Sequence, residues 1–294
     1  MNIYDFSTSD KLYVIGLFDN NFDWLFHAIL PKNKRLRSSS IYFNSVIILS
    51  GGNNITHHNL HTLKKYLNSF NDKLQKFNIN IVIIRGNNDE ASVFEETAIN
   101  LSNIKTIPDY SILKMNDKNV LCVGGNISLN RTWKQKYEAI ISKFKDNETK
   151  IYWDDESFNF DDERINEIIK SDIKIDGVIT NISPLFAFPP TKMINSVWLK
   201  NDKGLYNDIQ NERLNLDKLF QILSAKNKLL FWLYNGYDMR QQEQRKDTYF
   251  FSIYHHEIFD PLSTINELEE NNKNKNEKID SFDFNKILFE TFSA

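Results

Sequence analysis

The chain predicts an α/β fold, and two observations predict it. Six short apolar runs, several of them rich in Val and Ile, are closed by polar residues or glycine, the pattern of strands buried on both faces. Between them lie segments with apolar residues at helical spacing, which fit helices laid over sheet faces. The first two strand runs are residues 12–15 and 46–49. Residues 54–56 then read as a helix start, and Leu60, Leu63, Leu67 and Phe70 share one face that Leu74 and Phe77 extend. Residues 81–84 and 120–123 are the next strands, followed by a helical pattern at 163–169. Strand 177–179, helix 216–223 and strand 229–233 continue the alternation, and residues 249–254 form a last, aromatic strand-like run. Residues 267–278 are polar and low in complexity, so an exposed loop or tail connection is expected there. Residues 31–40 are irregular and hold the strongest positive run, including Lys32, Lys34, Arg35 and Arg37.

With 294 residues, 41% hydrophobic and 26% charged, the chain can bury a substantial core. A net charge of −3 gives no general attraction to nucleic acid or to an anionic membrane. The one cysteine, Cys122, sits in an apolar run and is expected to be buried, so no disulfide forms within one chain. The first ten residues carry no apolar core of a secretory signal, and no run is long enough to span a bilayer. A cytoplasmic location is expected, or a virion if the chain is phage-derived. The abundance of Asn, Lys and Ile fits an AT-rich genome, as a phage or mobile element would.

In α/β folds the residues just past the strand ends carry function. After 81–84 comes Arg85-Gly86-Asn87-Asn88-Asp89. After 120–123 comes Gly124-Gly125-Asn126-Ile127-Ser128-Leu129-Asn130-Arg131, and later Tyr152-Trp153-Asp154-Asp155-Glu156. In that order these stretches resemble the Gly-Asn-His-Asp, Gly-Gly-Ala-X-Ser-Ile-Asp-Arg and Trp-Trp-X-X-Glu elements of calcineurin-like metallophosphoesterases, over roughly residues 12–262. The resemblance implies one domain over 1–294 with a four-layer α/β/β/α sandwich, two mixed sheets flanked by helices. Residues 263–294 would be a polar loop and C-terminal segment.

It also implies a site stripped of its chemistry. Leu17 falls where the family has a ligand Asp, and Asp19 where it has a ligand His. Gly52 falls at the metal-bridging Asp, and Asn88 at the catalytic His. Asn181 stands for another ligand His, while Asn235 and Tyr237 replace both histidines of the Gly-His-X-His element. Asn130 takes the place of an acidic residue. Asn87 alone is an unaltered ligand, and Asp89 matches the motif. Leu and Gly offer no donor atom, an amide is a poor substitute for imidazole, and Asn88 cannot titrate to protonate a leaving alkoxide. Two divalent ions bridged by an oxygen ligand should not bind such a set.

Simpler readings stand beside these. Asp19, Asn87, Asp89 and Asn181 could gather one weak metal, but mutual hydrogen bonding is the favoured reading. His57 and His61 have metal-ligand spacing, yet they fit an exposed first helical turn better. His255-His256 would simply end the last strand. The expected function is therefore a catalytically inactive, structural or protein-interaction role without cofactor or metal. Its candidate surface is Lys32, Lys34, Arg35 and Arg37 together with Trp153 and Glu156 at the mouth of the old cleft. The rivals are a nucleotide or phosphate sensor using that cleft and a phosphoesterase with rearranged metal ligands. No membrane and no nucleic-acid partner is expected.

Overall fold

The computed structural model describes residues 1–16, 18–30, 41–143, 150–193, 196–235 and 239–280. Leu17, Lys32, Lys34, Arg35, Arg37, Tyr237 and residues 281–294 therefore lie outside the described residues.

Among the described residues, twelve strands form two sheets: β1 (Ile3–Phe6), β2 (Lys11–Gly16), β3 (Ser45–Ser50), β4 (Ile79–Ile84), β5 (Ile104–Thr106), β6 (Ser111–Met115), β7 (Lys118–Val123), β8 (Gly177–Thr180), β9 (Phe231–Asn235), β10 (Gln241–Arg245), β11 (Thr248–Ile253) and β12 (Ile258–Phe259). Five strands pair in the order β12-β2-β3-β4-β5 and seven in the order β1-β6-β7-β8-β9-β11-β10. The central pairings are parallel, and every residue of β3 and β4 is buried. That double-sided burial explains the unbroken apolar runs. Antiparallel partners β12 on β2, β6 on β7 and β10 on β11 make both sheets mixed.

Side chains alternate along each strand and so assign the faces. Val46 and Ile48 meet Cys122, Ile179 and Leu233 in one cluster, so the two sheets stack face to face. Ile47 and Leu49 point the other way, against Leu25 and Phe26 of α1 (Phe22–Ile29) and Leu63 and Leu67 of α2 (His57–Lys76). A short α3 (Ala91–Glu95) and α4 (Arg131–Ile141) follow β4 and β7. On the far side, Ile165 and Ile168 of α5 (Asp162–Lys170) and Leu216, Leu219 and Leu223 of α7 (Leu205–Lys226) cover Leu121, Val178 and Trp232. Between them lies α6 (Ser196–Asn201). The molecule is thus mixed α/β, with two mixed sheets flanked by helices.

All six apolar runs and the aromatic run fall within or overlap strands, and Cys122 is buried. The expected helix start is a capping box in which Thr56 and Asn59 exchange side-chain-to-backbone bonds. His57, His58 and His61 are exposed on the first turns of α2. One expectation fails. Residues 267–278 are not a loop but lie within α8 (Pro261–Asp280). The Asp260 carboxylate accepts from Ser263 N at 2.9 Å, and Leu262, Ile265 and Leu268 anchor the first turns on the core between the sheets. Once nucleated in this way, the helix propagates through the polar run. Among the described residues, no helix is long and apolar enough to cross a membrane.

Candidate functional site

The C-terminal ends of β3, β4, β8 and β9 converge between the two sheets, and asparagines fill the space where they meet. Asp89 is fully buried and is met by N–H groups of two loops. Its carboxylate accepts from Gly86 N at 2.7 Å, Ile55 N at 2.8 Å, Asn53 Nδ2 at 3.1 Å and Asn53 N at 3.4 Å. Burial pushes this carboxyl above its ordinary range, and the four N–H contacts oppose that rise. The carboxylate thereby joins the loop after β4 to the loop after β3. Asp89→Ala leaves those amides without an acceptor and is expected to lower stability by about 3 kcal/mol. A lower urea midpoint at unchanged m would register it.

Gly52, where the resemblance would place a bridging carboxylate, has a left-handed backbone with φ of 69°. A side chain on Gly86 would collide with Gly52 N, so the two loops meet backbone to backbone. From the opposite sheet, Asn181 Nδ2 donates to Arg85 O, and its Oδ1 accepts from Ser50 Oγ at 3.1 Å. Asn235 Nδ2 donates to Ser50 O. Two amides from the seven-stranded sheet therefore clasp the ends of β3 and β4. The Oδ1 atoms of Asn53 and Asn235 are buried without a hydrogen-bond partner.

Two bridged divalent ions would need carboxylates and imidazoles from both sheets. The described residues do not fit that centre: the amide nitrogens are bonded to main chain, position 52 has no side chain, and Asp89 is occupied by N–H groups of the loops after β3 and β4. Asp19 turns elsewhere, pairing through Oδ2 with His255 Nε2 at 2.9 Å. Beside it, His256 stacks on Trp24 with centroids 5.0 Å apart and contacts Phe18 O at 3.0 Å. Among the described residues, no group of three His, Cys, Asp or Glu is placed to hold a metal ion.

Asn87 and Asn88 belong to a second cluster, centred on a residue that the sequence pattern does not single out. Lys134 of α4 is 6% exposed. Its Nζ donates to Ser128 Oγ at 2.6 Å, Asn88 Oδ1 at 2.7 Å and Asn87 O at 3.1 Å. Asn87 Nδ2 also donates to Ser128 Oγ, at 2.9 Å. Burial draws the ammonium pKa below the usual lysine range, and Glu156, 3.5 Å away, works against that. Three residues from Arg131 on a helix, a lysine reads as part of a solvated face, so one-dimensional spacing could not have found it.

Trp153 and Glu156 correct a second expectation, because they are 4% and 3% exposed rather than set on an open mouth. The Glu156 carboxylate accepts from Ser128 N and Ser128 Oγ, both at 2.6 Å, and these bonds draw the loop inward. Arg85 holds the same loop from below. It donates to Asp155 O at 2.8 Å and to Glu156 O and Ser157 O at 3.2 Å, while pairing with Asp109 at 2.8 Å. Glu212 of α7 completes the frame by accepting from Phe158 N at 2.8 Å and Ile127 N at 3.1 Å. The sequence reading did not pick out Arg85, Asp109 or Glu212 as site residues. In comparisons with known proteins, no family model matches the chain, and no curated protein matches it.

Proposed function

We propose that the chain is a calcineurin-like phosphoesterase sandwich whose hydrolytic centre has given way to a hydrogen-bonded seam, and that it serves a structural or protein-interaction role. The observation that carries this is the use of Asn181 and Asn235, which bond to Arg85 O and Ser50 O across the two sheets. In an active member of that family, those positions would turn imidazoles toward metal. The Ser128–Glu156 bonds add support, since they join in space the two stretches on which the resemblance rests. Asn88 strengthens the reading in another way. Its amide oxygen accepts from Lys134 at 2.7 Å, so the position of the catalytic acid holds no titrating group and is engaged internally. A fold can outlive its chemistry and be kept for its shape.

Hydrolysis of a phosphodiester such as bis(p-nitrophenyl) phosphate, with Mn²⁺, Mg²⁺ or Zn²⁺ supplied, is expected to stay at background. Asn88→His alone should not raise it, because the residues that would hold the metals are still missing. Metal-dependent turnover that disappears in Asp19→Ala would overturn the proposal and favour a rearranged hydrolase centred on the Asp19–His255 pair.

A further inference from the structure

Among the described residues the two sheets present four edge strands, and three of them are short. Strands β12, β5 and β1 hold two, three and four residues. The fourth, β10, runs five residues in unbroken register with β11 and contains no proline. Edges are commonly blunted by brevity, proline or a bulge, and β10 shows none of the three.

The ladder fixes which of its backbone groups face outward. Gln241 N donates to Ser252 Oγ at 2.8 Å and so faces β11, whereas Tyr249 N donates to Leu230 O at 2.9 Å and so faces away from β10. Antiparallel pairs alternate in this respect. Gln241, Glu243 and Arg245 therefore direct their N–H and C=O groups at β11, and Gln242 and Gln244 turn theirs to the open side. Among the described residues, nothing bonds to those outward groups.

An open edge accepts an extended strand, and charge decides whether a second β10 suits it. Four antiparallel registers about a two-fold axis use the outward groups of Gln242 and Gln244. Centred on Glu243, the pairing sets Glu243 against Glu243 and Arg240 against Lys246. Centred on Arg245, it sets Arg245 against Arg245 and Glu243 against Asp247. Centred on Gln242, it leaves Glu243 opposite Gln241 and Arg245 opposite Met239. Only the register centred on Gln244 sets Glu243 against Arg245, and the symmetry repeats that pair. Those two fall at the non-hydrogen-bonded positions, where facing side chains come closest. Both side chains are part-exposed, and within one chain they stand 3.8 Å apart, beyond hydrogen-bond reach.

We propose that β10 pairs with β10 of a second copy, antiparallel about a two-fold axis at Gln244, so that two seven-stranded sheets continue as one. The pairing holds whether or not the strand-end site has lost its chemistry.

Symmetric disulfide trapping of the full chain tests partner and register together, because Cys122 is buried and leaves an introduced thiol as the reactive one. A hydrogen-bonded antiparallel pair sets Cα atoms about 5.5 Å apart, within disulfide reach, so Gln244→Cys should give a dimer-mass product under mild oxidation. Gln242→Cys is also exposed but lies about 13 Å along the strand from its own copy, and should react at least about tenfold more slowly. Both replace exposed side chains, so folding is not at issue. Adding Glu243→Arg to Gln244→Cys should slow trapping about fivefold, and adding Arg245→Glu as well should restore it. Gln244→Pro removes an outward donor without touching the ladder to β11, and should sediment as a folded monomer at concentrations where the native chain sediments as a dimer. Equal trapping rates at the two positions overturn the proposal, as does trapping indifferent to Glu243→Arg or a native chain that stays monomeric at every concentration.

Discussion

Arg85→Met should cost about 3–5 kcal/mol of folding stability, the usual result of removing one partner from a buried ion pair. The guanidinium is 4% exposed as a residue, and its partner carboxylate on Asp109 is 12% exposed. Burial works against the charged guanidinium, and Asp109, Asp155 and Asp89 together outweigh it, so its pKa is raised. Without Arg85, Asp109 keeps a hydrogen bond from Gly124 N, at 2.8 Å, and the more distant attraction of Arg164, while the carbonyls of Asp155, Glu156 and Ser157 lose a donor. The penalty comes chiefly from the charge left behind. Arg85→Met combined with Asp109→Leu should therefore recover part of it. Urea denaturation of the single and double variants is the measurement, and a single-variant loss under about 1 kcal/mol would mean that the pair is solvated in practice.

The second large effect is a pH dependence centred on Glu212. Complete burial, with Glu156 nearby, pushes its carboxyl up to about 7 from an ordinary 4.5, despite the N–H groups of Phe158 and Ile127. The folded chain then holds this proton more tightly than the unfolded chain does. Stability from Glu212 is fully present below about 4.5 and is lost as pH rises through about 7. The difference across that window is about 3 kcal/mol. Glu212→Gln, which keeps an acceptor oxygen but cannot ionise, should remove that contribution. Subtracting the variant's stability from that of the native chain should give a curve falling between pH 4.5 and 7.5 and flat above. A difference that rises with pH would show that Glu212 is held as a carboxylate.

What could be read in the sequence follows from how each element is buried. Strands β3 and β4 were legible because both faces are covered, which makes Ser45–Ser50 and Ile79–Ile84 nearly continuous apolar runs. Strand β10, Gln241–Arg245, was not, since it is an exposed edge held by its ladder to β11, and its residues show no alternation. Helix α4 escaped because its apolar residues face outward and its inward residue is a lysine. At the site, the strand-end asparagines were readable while their contacts were not. Asn181 and Asn235 reach Arg85 and Ser50 only because the ends of β8 and β9 lie opposite those of β3 and β4. Likewise, Trp153 and Glu156 look like surface anchors until Ser128 and Arg85 draw their loop into the body of the molecule.

The proposal that amide bonding at the strand ends takes the place of metal binding is tested most directly by metal-linked stability. A site that binds Mn²⁺ in the folded state raises the unfolding temperature as free metal exceeds its dissociation constant. The chain is expected to unfold at the same temperature in EDTA and in millimolar Mn²⁺, with no binding heat in calorimetric titration. Asn181→His should show the same flat response. Saturable binding of two Mn²⁺ per chain, with a matching rise in unfolding temperature that Asn87→Ala abolishes, would contradict the account.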